Sequence, residues 1–172
     1  MNLNQYTIKA QEAIQAAQQL AFNQQHAAID TPHILKAVLS DKESPIEYLL
    51  KKNNVNLNVI QNKLEQTLQS LPTQATGEPA SVLSRDANSA LLKATSALKT
   101  FGDEFVTLEH LIIGLLQGSD VVSKMLKDAG LTEKGLVAAI KELRKGESVK
   151  SQTQETQFQS LSKYAKNLNE LA

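Results

Sequence analysis

Residues 7–68 recur almost without gaps as residues 84–144, and this repetition restricts the chain to folds built from two copies of one unit. Ala10, Ala13, Ile14, Ala17, Leu20 and Ala21 reappear as Ala87, Ala90, Leu91, Ala94, Ala97 and Leu98, each pair 77 positions apart. Apolar residues at such three- and four-residue steps mark one face of a helix. His33-Ile34-Leu35-Lys36-Ala37-Val38-Leu39 returns at the same offset as His110-Leu111-Ile112-Ile113-Gly114-Leu115-Leu116. A one-residue deletion then shifts the match to 76, pairing Leu49-Leu50-Lys51 with Met125-Leu126-Lys127 and Leu64 with Ile140. Two copies of a helical unit predict a pseudo-twofold domain, whose junction is a natural place for binding.

Start signals divide each copy. Thr31-Pro32 and Ser44-Pro45 pair a capping side chain with a proline in the first turn, where its missing N–H costs nothing. Thr7, Ser84, Thr107, Ser119 or Asp120, and Thr132 are further caps. The fold class expected is all-α: eight helices in two tandem four-helix repeats, residues 7–70 and 84–145. The fourth helix of each carries its own stripe, Leu57, Ile60, Leu64 and Leu68 against Leu136, Ala139, Ile140 and Leu143. Aromatic residues are only 4% of the 172 and tryptophan is absent, so the core falls to Ala, Leu, Ile and Val, small enough for close helix approach. Leu71–Ala80 holds two prolines and a glycine without apolar periodicity and joins the copies as a loop.

The double-repeat domain is expected to end near residue 145. Within residues 146–172, Glu147–Thr156 is rich in Ser, Gln and Thr and predicts a flexible linker. Phe158, Leu161, Ala165, Leu168 and Leu171 then share one helical face. A stripe without a partner suggests that a longer protein continues from here.

Lys plus Arg and Asp plus Glu both number 18, so the chain lacks the basic footprint of a nucleic-acid binder. Absence of cysteine excludes disulfides and thiol chemistry. Neither a signal-peptide pattern at Met1-Asn2-Leu3-Asn4-Gln5 nor a run long enough to span a membrane is found, and a cytoplasmic location is expected. Gly-rich phosphate loops are missing.

Three histidines exist, at 26, 33 and 110. His33 and His110 occupy equivalent first-turn positions, and repeat-related residues usually fill one structural slot twice. An enzyme using both with nearby acids is the rival reading, unsupported by any metal-binding spacing.

Positions where the repeat breaks are more informative, because packing shared by both copies does not require them. Asp103 replaces His26 and Glu109 replaces Pro32. Phe101-Gly102-Asp103-Glu104-Phe105-Val106 and Glu109 thus suggest an acidic edge beside Phe105 and Leu108, suited to an apolar polypeptide carrying basic groups. The plainer reading makes Glu109 a complement to the helix dipole and Asp103 an ordinary loop acid. Leu92 widens the stripe of Leu91; with Ile8, Phe22, Ile113 and Leu108 it could form an apolar binding patch, although each alone suits core or incidental surface.

The doubled unit, Thr7 opening its first helix, the paired histidine helices and Phe101-Gly102-Asp103-Glu104-Phe105 before Glu109-His110 resemble the amino-terminal domain of Clp ATPases. Lys145-Gly146-Glu147-Ser148-Val149 and Leu161–Ala172 look like the linker and opening helix of the first ATPase module in the ClpB-type disaggregases. The resemblance implies a non-catalytic domain that captures unfolded or aggregated protein. Longer members are hexameric ATPase rings using ATP and magnesium and working with the DnaK chaperone system. The isolated chain is then expected to be monomeric, without cofactor, metal, nucleic acid or membrane. Family residues linked to substrate handling fall on Thr7, Asp103 and Glu109, with Leu92, Phe105 and Leu108 as apolar contacts. ClpC-branch relatives bind phosphorylated arginine with a glutamate in each repeat; Pro32 in the first copy departs from that pattern. The alternative is an adaptor-docking domain of a ClpC- or ClpA-type chaperone.

Overall fold

A computed structural model describes residues 3–74 and 82–153. Among the described residues the chain is helical without strands, and its helices fall into two equivalent sets. The first holds α1 (Ile8–Asn23), α2 (Thr31–Ser40), α3 (Ile46–Lys52) and α4 (Leu57–Ser70). The second holds α5 (Arg85–Ser96), α6 (Leu98–Phe101), α7 (Leu108–Leu116), α8 (Val121–Asp128) and α9 (Glu133–Arg144). The eight-helix expectation misses one break: the counterpart of α1 is interrupted at Ala97, so its last turn becomes the separate α6.

Caps form where the side chains allow. Thr7, Ser84, Thr107, Asp120 and Thr132 each accept a backbone N–H from the first turn of their helix. The start of α2 differs from expectation. Asp30 is its cap, accepting from Thr31 N, which leaves Thr31 and Pro32 inside the first turn.

The contacts obey the pseudo-twofold. α1 packs on α7 as α5 packs on α2, and α3 on α9 as α4 on α8, while α2 and α7 meet at the centre. Every residue of α7 is buried, the pattern of a helix surrounded by others. Gly114 lets α7 approach α5 closely, since a Cβ there would lie 2.2 Å from the Ala90 carbonyl oxygen. The halves also exchange extended residues: Tyr6 bridges Val106 in parallel, as Leu83 bridges Ile29. Thr7 N donates to Val106 O and Ser84 N to Ile29 O, both at 2.9 Å. No described helix is long and apolar enough to cross a membrane.

The expected linker behaves differently at its start. Val149 is buried, its N–H donates to the Asp103 carboxylate, and Ile8 N donates to Gln152 O at 2.9 Å. The repeat explains this: Val149 stands 76 positions after Thr73, which bridges His26, the counterpart of Asp103. Chain leaving the fourth helix of either copy therefore runs past the same loop. Residues 154–156 of the expected linker and the stripe from Phe158 to Leu171 lie outside the described residues.

Candidate functional site

The symmetry-breaking residues gather around a buried arginine. α6 ends at Phe101, and Gly102, in the left-handed region at φ 64°, turns the chain so that Asp103 faces inward. Thr107 caps α7, and its N–H donates to His110 Nδ1 at 2.8 Å. That bond leaves the proton on His110 Nε2, which lies 2.9 Å from Asp103 Oδ2, off the line of a good hydrogen bond. Arg144, 1% exposed, enters from the last turn of α9. Its Nη1 donates to Asp103 Oδ2, and its Nη2 donates to Thr107 Oγ1 at 3.4 Å and stands 3.8 Å from Glu109 Oε1. The guanidinium carbon lies 4.9 Å from the centre of the Phe101 ring, a cation–π contact.

Asp103 is the hub. Its Oδ1 accepts the Val149 N–H at 2.7 Å while Oδ2 faces Arg144 and His110. Burial alone would raise its pKa, but His110, the Val149 N–H and Arg144 outweigh that penalty and hold the carboxyl below its ordinary value. Glu109 is fully buried, and neither carboxylate oxygen has a hydrogen-bond partner among the described residues.

The first copy solves the same packing problem without this charge. Asp30 N donates to His33 Nδ1 at 2.9 Å, so His33 Nε2 carries the proton and meets His26 Nδ1 at 2.7 Å. His26 fills the position of Asp103, Leu68 that of Arg144, and Pro32 that of Glu109. His33 and His110 are thus both helix-capping partners, which argues against the enzyme reading. Among the described residues no three His, Cys, Asp or Glu side chains form a group that could hold a metal.

The structure brings Asp103 and Glu109 together on Arg144, but not as an acidic edge; both are inside, and Glu104 is the exposed acid of that segment. Thr7 is buried too, its N–H bonded to Val106 O. Leu108 is only 1% exposed, as the first residue of a wholly buried helix, so its expected place on the surface is corrected. Ile113 is likewise core, whereas Ile8, Phe22 and Leu92 remain exposed, Leu92 at 63%, and Phe105 is half-buried. Arg144 is the residue that sequence reasoning missed. Its signal was present: the α4 stripe reaches Leu68, and the matching position in α9 carries a guanidinium.

A tandem helical repeat whose second copy alone buries a charged cluster defines the class as an all-helical double-repeat domain. The chain belongs to the Clp family: the family model of the Clp repeat (R) N-terminal domain matches residues 5–129. Over all 172 residues it is 46% identical to the chaperone protein ClpB of Bacteroides thetaiotaomicron. It is 42% identical over 168 residues, or 98% of its length, to ClpB of Porphyromonas gingivalis. These matches span only 20% and 19% of those relatives. The Hsp104 N-terminal domain from Candida albicans superposes with a TM-score of 0.74 at 21% identity, covering 87% of this chain and 97% of that one.

The histidine pair of the first copy makes a separate prediction. Burial, then repulsion from His26, pushes His33 down to about 4, against the pull of Asp30; burial likewise lowers His26. The unfolded chain binds protons near pH 6.5 while the folded pair stays neutral. The pair's contribution is therefore complete above about pH 7 and lost as pH falls from about 6.5 towards 4. Urea midpoints should drop across that window, and His26→Leu should flatten the drop; equal pH dependence in both proteins would contradict this.

Proposed function

We propose that this domain captures unfolded polypeptide for a ClpB-type ATPase ring, using exposed apolar residues around a scaffold held by the buried charged cluster. The observation that carries the reading is the confinement of Asp103, Glu109 and Arg144 to one copy. A cluster that the equivalent fold does not need for packing is a candidate for function. Through Thr107, Phe101 and Val149 the cluster fixes the loop before α7 and the chain after α9. Thr7, Glu109 and Leu108 act here by holding the surface rather than touching the ligand, while Leu92, Ile8 and Phe105 supply contact area.

Capture by one domain is weak, because an unfolded ligand loses chain entropy on binding, and a hexameric ring restores strength through multiple copies. In the longer protein, ATP and magnesium belong to modules outside this chain, and the DnaK system and the cytoplasm are the expected partner and location. Chemical-shift mapping with reduced, carboxymethylated lactalbumin tests the reading. Shifts should centre on Ile8, Leu92 and Phe105, and Leu92→Ser should weaken binding several-fold without changing the unfolding curve. Absence of binding, or binding that ignores Leu92, would contradict it. Binding of folded partners only would favour the adaptor-docking alternative.

A further inference from the structure

Residues 148–152 lie along the domain as a strap, held through both its main-chain and its side-chain groups. Glu104 N donates to Val149 O at 2.8 Å and Ile8 N to Gln152 O at 2.9 Å. Gln152 Nε2 reaches back to the carbonyls of Asn4 and Tyr6 at 3.2 Å, and Ser148 Oγ to that of Phe101 at 2.8 Å. Val149 is the strap's one buried apolar side chain, and its N–H is held by Asp103. The strap follows a sharp turn: Lys145 and Gly146, directly after α9, are both left-handed at φ 52° and 85°.

We infer that this slot, between residues 4–8 and 103–106, accepts an extended polypeptide by main-chain pairing, and that the chain's own strap occupies it in competition with that ligand. The inference rests on the capture of unfolded polypeptide proposed above and assigns a place and a control to it. Pairing through the N–H groups of Glu104 and Ile8 needs no particular ligand sequence, which suits a domain that takes many unfolded chains. The Asp103 carboxylate would accept a ligand N–H as it accepts that of Val149. Exposed Ile8 and half-buried Phe105 flank the slot and offer apolar contact to alternate ligand side chains. Arg144 then acts as a positioning residue that holds Asp103 ready for either occupant. Release of the strap frees the chain after α9 to change direction, so occupancy of the slot and orientation of the tether are linked.

The test ejects the strap without altering the slot. Val149→Asp places a charge where the buried side chain sits, and Val149→Pro removes the N–H that Asp103 holds; both leave Asp103, Arg144 and His110 unchanged. Amide exchange within α7 serves as the fold control. In both variants the Ile8 and Glu104 amides should exchange at least about tenfold faster than in wild type. Reduced, carboxymethylated lactalbumin should bind about fivefold or more tightly, because a competitor has been removed. Bound ligand should restore slow exchange at Ile8 and Glu104. Unchanged affinity in folded variants overturns the competition and leaves polypeptide capture standing. No binding to wild type or either variant overturns both readings.

Discussion

Replacing Arg144 alone with leucine should cost about 3–5 kcal/mol of folding stability, although leucine fills the equivalent position in the first copy. The loss comes from what remains: Asp103 and Glu109 would be buried carboxylates without their guanidinium. Asp103→Ala should fail comparably for the opposite reason, leaving Arg144 buried without its closest carboxylate. The cost should not persist when the whole constellation is exchanged. Asp103→His, Glu109→Pro and Arg144→Leu together rebuild the arrangement of His26, Pro32 and Leu68, and a proline is tolerated in the first turn. Buried ion pairs exchanged for well-packed neutral groups often leave stability unchanged. The triple variant should therefore recover most of what Arg144→Leu loses, as urea unfolding of the three proteins would show. A triple variant no more stable than the single one would mean that the copies differ in backbone as well as in charge.

Gly114→Ala should be the second severe change, at about 3 kcal/mol, despite alanine's higher helix propensity. Its Cβ would stand 2.2 Å from Ala90 O, 2.9 Å from Ala94 N and 3.1 Å from Ala94 Cβ. Two of these are main-chain atoms of α5, so only separation of the helices relieves the overlap, and α5 and α7 form the central packing of the second copy. The first copy has Ala37 at this position, and Ala37→Gly should cost only about 1 kcal/mol. Thermal unfolding of both variants checks the asymmetry; a Gly114→Ala protein as stable as wild type would contradict it.

Much of this architecture is legible in the sequence because packing repeats. The stripes in α1, α4, α5 and α9, the caps at Thr7, Ser84, Thr107 and Thr132 and the paired histidines follow from local periodicity and first-turn chemistry, whereas Thr31 and Ser44 yield the cap positions to Asp30 and Pro45. The break at Ala97 is not legible, since the apolar pattern continues through it to Leu98. Depth is harder to read than identity. Asp103 and Glu109 stand out by their symmetry-breaking, yet nothing local shows that Arg144, 41 residues from Asp103, draws both inside. Leu108 appears superficial only if α7 has a solvent face, and α7 has none because α1, α2, α5, α8 and α9 all pack against it. The polar composition of Glu147–Thr156 likewise suggests a free linker, whereas main-chain pairing and the single side chain of Val149 seat its start on the domain.

The central claim is that the charges confined to the second copy serve polypeptide handling rather than folding. The triple variant Asp103→His, Glu109→Pro, Arg144→Leu tests this most directly, because stability and binding are measured on one folded protein. Titration with reduced, carboxymethylated lactalbumin, alongside urea unfolding, should show near-wild-type stability and affinity reduced about tenfold or more. Wild-type affinity in a stable triple variant would show that the cluster is only another way to fill the core.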